Sequence, residues 1–302
     1  MQVELRQLEY FVVVAAEMNF TRAAQQVHVV QSALSAAVSK LERELGVELF
    51  DRSRQKIRIT PAGELFRDHA RRVIHAAQLA KDSVSDYRGQ LSGTIEFGFL
   101  VSCGQLDLPK VLGEFRRDYP LARIRLQQRQ SHVGLAAYLS AIADGAIDLA
   151  LVSAPDVFPP RIDMRMISEE PLLFVCRPDH HLAGRRYVGI TEIADEDLIG
   201  WPPEFGLRRI VEDAFTAAGL TPRVLYELEA DFATAADLIR HGLGSMFMPP
   251  SEANRFPDLP AVPVRPTLTW PIYLAQAEHS RRPASVTLAE RILASANPAT
   301  AR

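Results

Sequence analysis

The chain has 302 residues, of which 47% are hydrophobic and 24% charged, and its formal net charge is -3 at pH 7. This composition is typical of a soluble globular protein of about two domains and excludes a disordered or fibrous chain. The near-neutral charge also excludes a globally basic nucleic-acid binder but is compatible with a local basic surface.

The first twenty residues, MQVELRQLEYFVVVAAEMNF, lack the features of a targeting segment. No cationic stretch precedes the apolar run, and Glu4, Glu9 and Glu17 interrupt it, so neither a signal peptide nor a membrane-spanning helix fits. We therefore expect a cytoplasmic protein without membrane contact. Cys103 and Cys176 lie outside any paired ligand spacing, so we expect no disulfide scaffold, no metal and no cofactor.

Three short segments between residues 1 and 60 show helical periodicity. The first has an apolar face that consists of Leu5, Leu8, Phe11 and Val12. The second follows Phe20 and Thr21, and the third runs from about Gln31 to Leu45, before Gly46. The segment ELFDRSRQKIRIT then alternates like a two-stranded ribbon with a basic tip.

This arrangement predicts DNA binding. The second and third helices are joined by a tight turn, and the third exposes small polar side chains, a shape that fits the major groove. The cations of the ribbon are then expected against phosphates, and they are Arg52, Arg54, Lys56 and Arg58. An ordinary three-helix domain with a solvated face is the alternative.

A long helix follows the ribbon. Thr60 and Pro61 are a helix N-cap and a first helical residue, and the helix is predicted to reach about Tyr87. Apolar residues recur along it at alternating spacings of three and four, which predicts a helix-pairing seam that forms a dimer. The seam consists of Phe66, Val73, Ala77, Ala80 and Val84.

From Gly93 onward, strand and helix patterns alternate, which favours α/β units around a parallel sheet. We therefore predict three regions: a DNA-binding domain over residues 1–60, a linker and dimerisation helix with a hinge over 61–90, and an effector-binding domain over 91–302. Within the last region, subdomain I covers about 91–160 and 267–302, and subdomain II covers about 161–266.

The stretch LRQLEYFVVVAAEMNFTRAAQQVHVVQSALSAAVSKLERELGVELFDRSRQKIRITPAG resembles the winged helix-turn-helix of LysR-type transcriptional regulators. GAIDLALV and HGLGSMFMPP resemble that family's effector-binding domain more loosely. The resemblance implies a sequence-specific transcriptional regulator, with two Rossmann-like subdomains of the periplasmic-binding-protein type around a small molecule. It also implies a homodimer or a dimer of dimers, an operator DNA partner, and RNA polymerase as a further partner.

The resemblance assigns roles to individual residues. Thr21 is similar to a phosphate contact, Gln31, Ser32 and Ser35 to base-facing residues, and Arg52 and Arg54 to backbone contacts. Ala36, Lys40 and Lys56 complete the predicted DNA-binding set. Two departures matter: Val30 stands where the family usually has an N-cap side chain, and Ala36 and Ala37 replace longer polar residues, which favours indirect readout.

The effector residues are predicted at strand-to-helix junctions of the α/β region. Ser102 and Gln105 have the spacing of a capping box, and Ser131 follows the next strand. Free N–H groups at such junctions attract anions, so we expect a carboxylate effector. The resemblance adds further contacts, which are Cys103, Trp201, Pro202, Phe205, Asp231 and Phe232. Asp231 fits a helix cap better than a ligand contact.

Other functions find less support. The sequence contains no GxSxG, HExxH, GxGxxG or P-loop motif, so we expect no enzyme, and His180 and His181 fit a solvated loop. A free-standing solute-binding protein of the same two-lobed fold would need no DNA-reading head. A thiol-redox regulator based on Cys103 is a further alternative, although no resolving cysteine is evident.

Overall fold

The structure is a computed structural model that describes residues 3–52, 57–87, 91–100, 102–128, 134–153, 160–203, 205–229, 231–279 and 281–296. The chain divides into two units. The first consists of Met1–Arg88 with Asp144–Ala146, and the second of Gly89–Ala143 with Ile147–Arg302.

The first unit has helices and one small ribbon. The elements are α1 (Leu5–Glu17), α2 (Phe20–Gln26), α3 (Gln31–Leu45), β1 (Phe50–Asp51), β2 (Arg58–Ile59) and α4 (Pro61–Tyr87). β1 and β2 pair antiparallel and form the wing. Gly46 ends α3 in the left-handed region, at φ 70°, as its position in the sequence predicts.

Phe11 lies at the centre of the aromatic contacts in the core of the first unit. Its ring lies 5.4 Å from that of Phe50 and 5.3 Å from that of Phe66. The periodic apolar residues of α3 face the same core, where Leu34, Val38 and Leu41 are fully buried. Packing of this kind fixes α3 against α1 and leaves its polar face outward.

The structure corrects one member of the predicted dimer seam. The N-cap of α4 is confirmed, since Thr60 Oγ1 accepts the N–H of Gly63 at 3.0 Å. Phe66, however, packs edge-on against Phe11 within its own unit. Leu65, the preceding residue, is 68% exposed and Val73 is 51% exposed. Phe66 therefore packs within its own unit, while Leu65 and Val73 are exposed apolar residues of α4.

The second unit contains a sheet of five described strands in the order β4-β3-β5-β13-β6. The strands are β3 (Gly93–Gly98), β4 (Ala122–Gln127), β5 (Leu149–Ser153), β6 (Ile162–Pro171) and β13 (Thr269–Ala277). The helices of this part are α5 (Leu108–Asp118), α6 (Gly134–Ala143) and α11 (Pro283–Ala296). β3 is parallel to β4 and β5, but β13 is antiparallel to β5 and β6. The sheet is therefore mixed rather than parallel.

The remaining described strands form a four-stranded sheet in the order β11-β7-β12-β8 and a pair, β10-β9. These strands are β7 (Leu173–Val175), β8 (Val188–Gly189), β9 (Leu198–Gly200), β10 (Val224–Glu227), β11 (Met246–Met248) and β12 (Ala261–Arg265). The helices among them are α7 (Ile190–Ile193), α8 (Gly206–Ala217), α9 (Phe232–Arg240) and α10 (Pro250–Ala253). Because β6 pairs with β13 as far as Pro171, the first sheet extends past the boundary predicted at about residue 160.

A buried ion pair joins α11 to the first sheet. Arg282 Nε lies 3.0 Å from Asp148 Oδ1, and these side chains are 12% and 2% exposed. The other carboxylate oxygen of Asp148 accepts the N–H of Glu96 at 2.8 Å. Removing one charge from such a pair leaves the other buried and uncompensated.

Candidate DNA interface and effector site

Helix α3 presents a surface of small polar side chains. Gln31, Ser32 and Ala36 are exposed, and Ser35 is half-buried at the edge of the same surface. Val30 is the N-cap residue of α3 and makes no side-chain cap, as its type predicts. Val30 thus provides no side-chain acceptor for the first N–H groups of α3. This end of the helix is the one that would meet the phosphates of DNA.

Helix α2 begins at Phe20, two residues earlier than the sequence suggested. Asn19 is its N-cap, and Asn19 Oδ1 accepts the N–H groups of Thr21 and Arg22 at 2.9 and 3.0 Å. Thr21 is exposed in the first turn. The asparagine before FTRAA is a typical cap residue, so a sequence signal for this start existed.

Glu42 connects α3 to the wing and was not singled out from the sequence. One carboxylate oxygen accepts the N–H groups of Leu49 and Phe50, at 2.9 and 3.1 Å. The other accepts a hydrogen bond from Arg52 at 2.7 Å. Both backbone donors belong to buried residues. An acidic residue near the end of a helix gives no local signal for this role, because its partners lie seven to ten residues further along the chain.

Arg52 is held inside the first unit by three contacts. Besides Glu42, it donates to Ser39 Oγ at 3.0 Å, and its guanidinium carbon lies 4.9 Å from the centre of the Phe20 ring. Its side chain is 38% exposed. These contacts give Arg52 a structural role that the sequence did not predict, beside the predicted phosphate contact.

Lys40 also has a partner within the unit. Its Nζ lies 2.9 Å from Glu4 Oε1, and this hydrogen bond raises the pKa of Lys40 and lowers that of Glu4. In the wing, Arg58 is exposed, whereas the predicted contacts Arg54 and Lys56 lie outside the described residues.

Ser102 is not a helix cap. It is 4% exposed, and its Oγ accepts the N–H of Gly104 at 3.2 Å in a turn. Helix α5 begins only at Leu108, where Asp107 Oδ1 accepts the N–H of Lys110 at 3.1 Å. A carboxylate of the chain therefore already occupies the helix N-terminus that was predicted to attract an anion. Ser131 lies outside the described residues.

The turn that carries Ser102 lies against a buried carboxylate. A Cβ atom on Gly104 would stand 2.5 Å from Ser168 Oγ and 3.1 Å from Glu170 Oε1. Glu170 is 1% exposed, and its other oxygen accepts the N–H of Ser251 at 2.9 Å. Negative charge is thus already present beside the Ser102 turn.

The aromatic residues predicted around the effector come together. The Trp201 ring stacks on Phe205 with ring centres 5.3 Å apart, and it meets Phe232 edge-on at 5.1 Å. Trp201 is only 1% exposed and the cavity beside it has a volume of about 20 Å³, so its ring offers no open face to a ligand. Its Nε1 is buried without a hydrogen-bond partner among the described residues. Pro202 is buried beside it in sequence.

The helices after these residues differ in their N-termini. Helix α9 has Asp231 as its cap, as predicted, with Oδ1 accepting the N–H of Thr234 at 2.8 Å. That hydrogen bond holds the pKa of Asp231 below its usual value. Helix α8 has Phe205 at the cap position and no side-chain cap. Among the described residues, α5 and α9 are capped by aspartates, whereas the N-terminus of α8 offers N–H groups without a side-chain cap.

The two cysteines are poor redox groups. Burial, with a smaller contribution from the charge of Glu252, raises the pKa of Cys103 to about 11. Burial, with Glu196 and Asp179, raises the pKa of Cys176 to about 11 as well. Because the thiolate is the reactive form, a raised pKa disfavours thiol-redox sensing.

A helix-turn-helix with a wing, followed by an α/β unit, is the architecture of a DNA-binding regulator. Residues 5–64 match the family model of the bacterial regulatory helix-turn-helix protein, lysR family, and residues 88–297 match that of the LysR substrate binding domain. The chain therefore belongs to the LysR family of transcriptional regulators, and the alternative of a free-standing solute-binding protein is wrong.

Individual relatives agree with this assignment. The chain is 31% identical over 247 residues to the uncharacterized HTH-type transcriptional regulator YybE of Bacillus subtilis, covering 82% of each chain. It is 34% identical over 197 residues to a hydrogen peroxide-inducible genes activator of Pectobacterium carotovorum, covering 65% of this chain and 64% of that one. The crystal structure of full-length CbnR complexed with its target DNA is similar at a TM-score of 0.66 and 26% identity, covering 97% and 99%.

No helix in the described part of the chain has the length and apolar character needed to cross a membrane.

Proposed function

We propose that α3 enters the DNA major groove with Gln31, Ser32, Ser35 and Ala36 toward the bases. Thr21 and the wing contact phosphates, and the protein acts in the cytoplasm where its operator lies. The exposure of the small polar face of α3 supports this proposal, because bulky or acidic side chains there would prevent close approach. Lys40 and Arg52 lie at the same surface, each paired with a carboxylate of the unit. Arg54 and Lys56, outside the described residues, are further proposed phosphate contacts.

A negative charge introduced at the α3 surface tests the DNA proposal. Ser35→Glu introduces a carboxylate against bases and phosphates, so we expect loss of sequence-specific binding to a duplex selected by the parent protein. Ala16→Glu is the control, because it adds the same charge at an exposed position of α1. Fluorescence anisotropy measures both. Equal affinity of the two variants would remove α3 from the interface.

We propose further that α4 pairs two chains through Val73, Ala77, Ala80 and Val84, with Leu65 in place of Phe66. The support is the exposure of Leu65 and Val73 on one helix that also carries exposed Ala80. Two such dimers forming a tetramer, and contact with RNA polymerase at a promoter, are extensions of the same proposal.

The proposed effector is a small carboxylate that binds beside Trp201, where the cavity of about 20 Å³ has to widen to admit it. Two donor groups support this location: the unpartnered Nε1 of Trp201 and the uncapped N-terminus of α8. The Ser102 turn, by contrast, lies beside the buried carboxylate of Glu170 and offers an anion less. Pro202, Phe205 and Phe232 adjoin Trp201, while Asp231 caps α9. Cys103 belongs to the disfavoured turn, and Ser131, outside the described residues, stays a predicted contact.

Removing a single donor tests the effector proposal. A panel of small carboxylates is first screened for the compound that shifts the melting temperature of the parent protein. Trp201→Phe keeps the stacked ring but deletes its N–H, so we expect at least about a fivefold loss of affinity for that compound. Trp270→Phe is the matched control, because buried Trp270 donates to Ser153 instead. If both variants bind that carboxylate like the parent, the pocket lies elsewhere.

A further inference from the structure

Two histidines and a glutamate form a cluster in the second unit. His180 and His181 follow β7, and Glu196 lies in the turn between α7 and β9. His180 Nε2 lies 3.0 Å from Glu196 Oε2, and His181 Nε2 lies 3.4 Å from Glu196 Oε1. The prediction of a solvated loop is wrong for His180, whose side chain is only 17% exposed.

The surrounding structure holds two of the three side chains in place. The His180 ring meets Phe174 edge-on at 5.6 Å and stacks on His181 at 4.7 Å. Glu196 is 20% exposed, and its N–H donates to Ile193 O at 3.0 Å, which fixes the turn. His181 is 68% exposed and leaves one side of the cluster open to solvent. The cluster is thus partly preorganised and accessible.

We propose that His180, His181 and Glu196 bind a divalent transition-metal ion of the zinc type. The three ligand atoms all lie within 4.8 Å of one another. Ligands at about 2.0 to 2.2 Å from a tetrahedral zinc ion stand about 3.3 to 3.6 Å apart. The imidazole nitrogens lie 3.0 and 3.4 Å from the two different oxygens of Glu196, so a small shift brings both within range of one metal ion. Two imidazoles with one carboxylate favour zinc, nickel, cobalt or copper over magnesium or calcium, which prefer oxygen ligands alone.

Charged neighbours make the groove favourable to a cation. The groove has a volume of about 520 Å³ and is lined by Asp179, Asp195 and Asp197 beside the cluster, with Arg177 and Arg223 at the same surface. Arg177 pairs with Asp179, and Arg223 pairs with Asp197 at 3.0 Å. Two acidic groups are therefore already neutralised, which leaves Glu196 and Asp195 to offset the charge of the metal.

Metal binding requires a proton to move. His180 Nδ1 accepts the N–H of Leu182 at 3.2 Å, so in the metal-free chain Nε2 carries the proton and donates it to Glu196. A metal ion at Nε2 needs that nitrogen free, so the proton of the neutral imidazole moves to Nδ1 and no net proton is released. This tautomer change removes the acceptor of the Leu182 amide. The Leu182 amide therefore reports on metal binding.

The metal would join the turn after β7, which carries the two histidines, to the turn before β9, which carries Glu196. β9 ends at Gly200, directly before Trp201. This metal site is therefore separate from the proposed carboxylate site but connected to it through one short strand.

The test uses the full-length chain without an affinity tag, treated with a chelator and then titrated with Zn²⁺ by calorimetry and with Co²⁺ by visible absorption. We expect one saturable site with an absorption spectrum typical of four-coordinate cobalt. His181→Ala and Glu196→Gln each lose at least about tenfold in affinity, since even residues that only orient a ligand contribute 10- to 100-fold. His279→Ala, at an exposed histidine next to Glu278, leaves affinity unchanged.

Amide hydrogen exchange provides the second measurement. Zn²⁺ should accelerate exchange at Leu182 in the parent chain and not in His181→Ala. Because His181 is 68% exposed, its replacement by alanine leaves the fold intact. The proposal is overturned if no saturable site exists, or if His181→Ala and Glu196→Gln bind Zn²⁺ like the parent. In either case Glu196 simply accepts hydrogen bonds from two imidazoles, and the carboxylate proposal is unaffected.

Discussion

Glu42 should position the wing relative to α3, and Glu42→Ala tests this. The substitution removes the acceptor of two buried N–H groups, those of Leu49 and Phe50. Each buried donor left unpaired costs about 1 to 3 kcal/mol. The bond to Arg52 adds at most about 1 kcal/mol, because the Arg52 side chain is 38% exposed.

Water should reduce this cost. Glu42 and Arg52 line a groove of about 510 Å³, so solvent can enter the space that the carboxylate leaves. We therefore expect a local destabilisation of about 2 to 3 kcal/mol, near the lower end of the sum. This corresponds to about 30- to 150-fold faster amide exchange at Leu49 and Phe50, since each 1.4 kcal/mol is a factor of ten.

Hydrogen exchange at these two amides and anisotropy with a selected duplex are the assays. Loss of a negative charge near DNA by itself strengthens binding, so the charge effect needs a control. Glu48→Ala removes the same charge from an exposed side chain in the adjoining turn. We expect weaker DNA binding for Glu42→Ala and none of this weakening for Glu48→Ala. Unchanged protection at Leu49 and Phe50 would refute the reasoning.

Three further predictions concern assembly, stability and pH. Val73→Asp places a charge in the proposed seam of α4 at a cost of several kcal/mol, so light scattering should detect a smaller assembly, and an unchanged mass would contradict the seam. Asp148→Asn removes the carboxylate charge 3.0 Å from buried Arg282 and should destabilise the second unit by about 3 kcal/mol in urea unfolding, whereas a parent-like midpoint would show the pair to be dispensable. Asp231→Ala removes a helix cap and should cost about 1 kcal/mol at neutral pH. Because the pKa of Asp231 is lower in the folded chain, its contribution to stability is fully present above the unfolded pKa and is lost as pH falls through the folded pKa. The stabilities of parent and variant should therefore converge in acid. A difference that stays constant with pH would contradict this origin.

Local patterns determined much of this fold. The spacing of Leu34, Val38 and Leu41 predicted the buried face of α3, and Thr60 with Pro61 predicted the start of α4, because helix periodicity and capping depend on neighbouring residues. The same local reasoning failed at Ser102, where a serine and a glutamine had the spacing of a capping box but a turn precedes the helix. Capping spacing does not specify where a helix begins when a better cap, Asp107, follows.

Only the tertiary structure decided the contacts between distant segments. Strand β13 returns to the first sheet antiparallel and makes it mixed, and no periodicity within β13 encodes its direction. Phe66 and Leu65 are adjacent apolar residues, and the position of α1 alone determines that Phe66 packs inward on Phe11. Glu42, likewise, is one acidic residue among several on α3 until the chain brings the Leu49 and Phe50 amides to it. Sequence specifies the side chains that need partners, whereas long-range packing selects the partners.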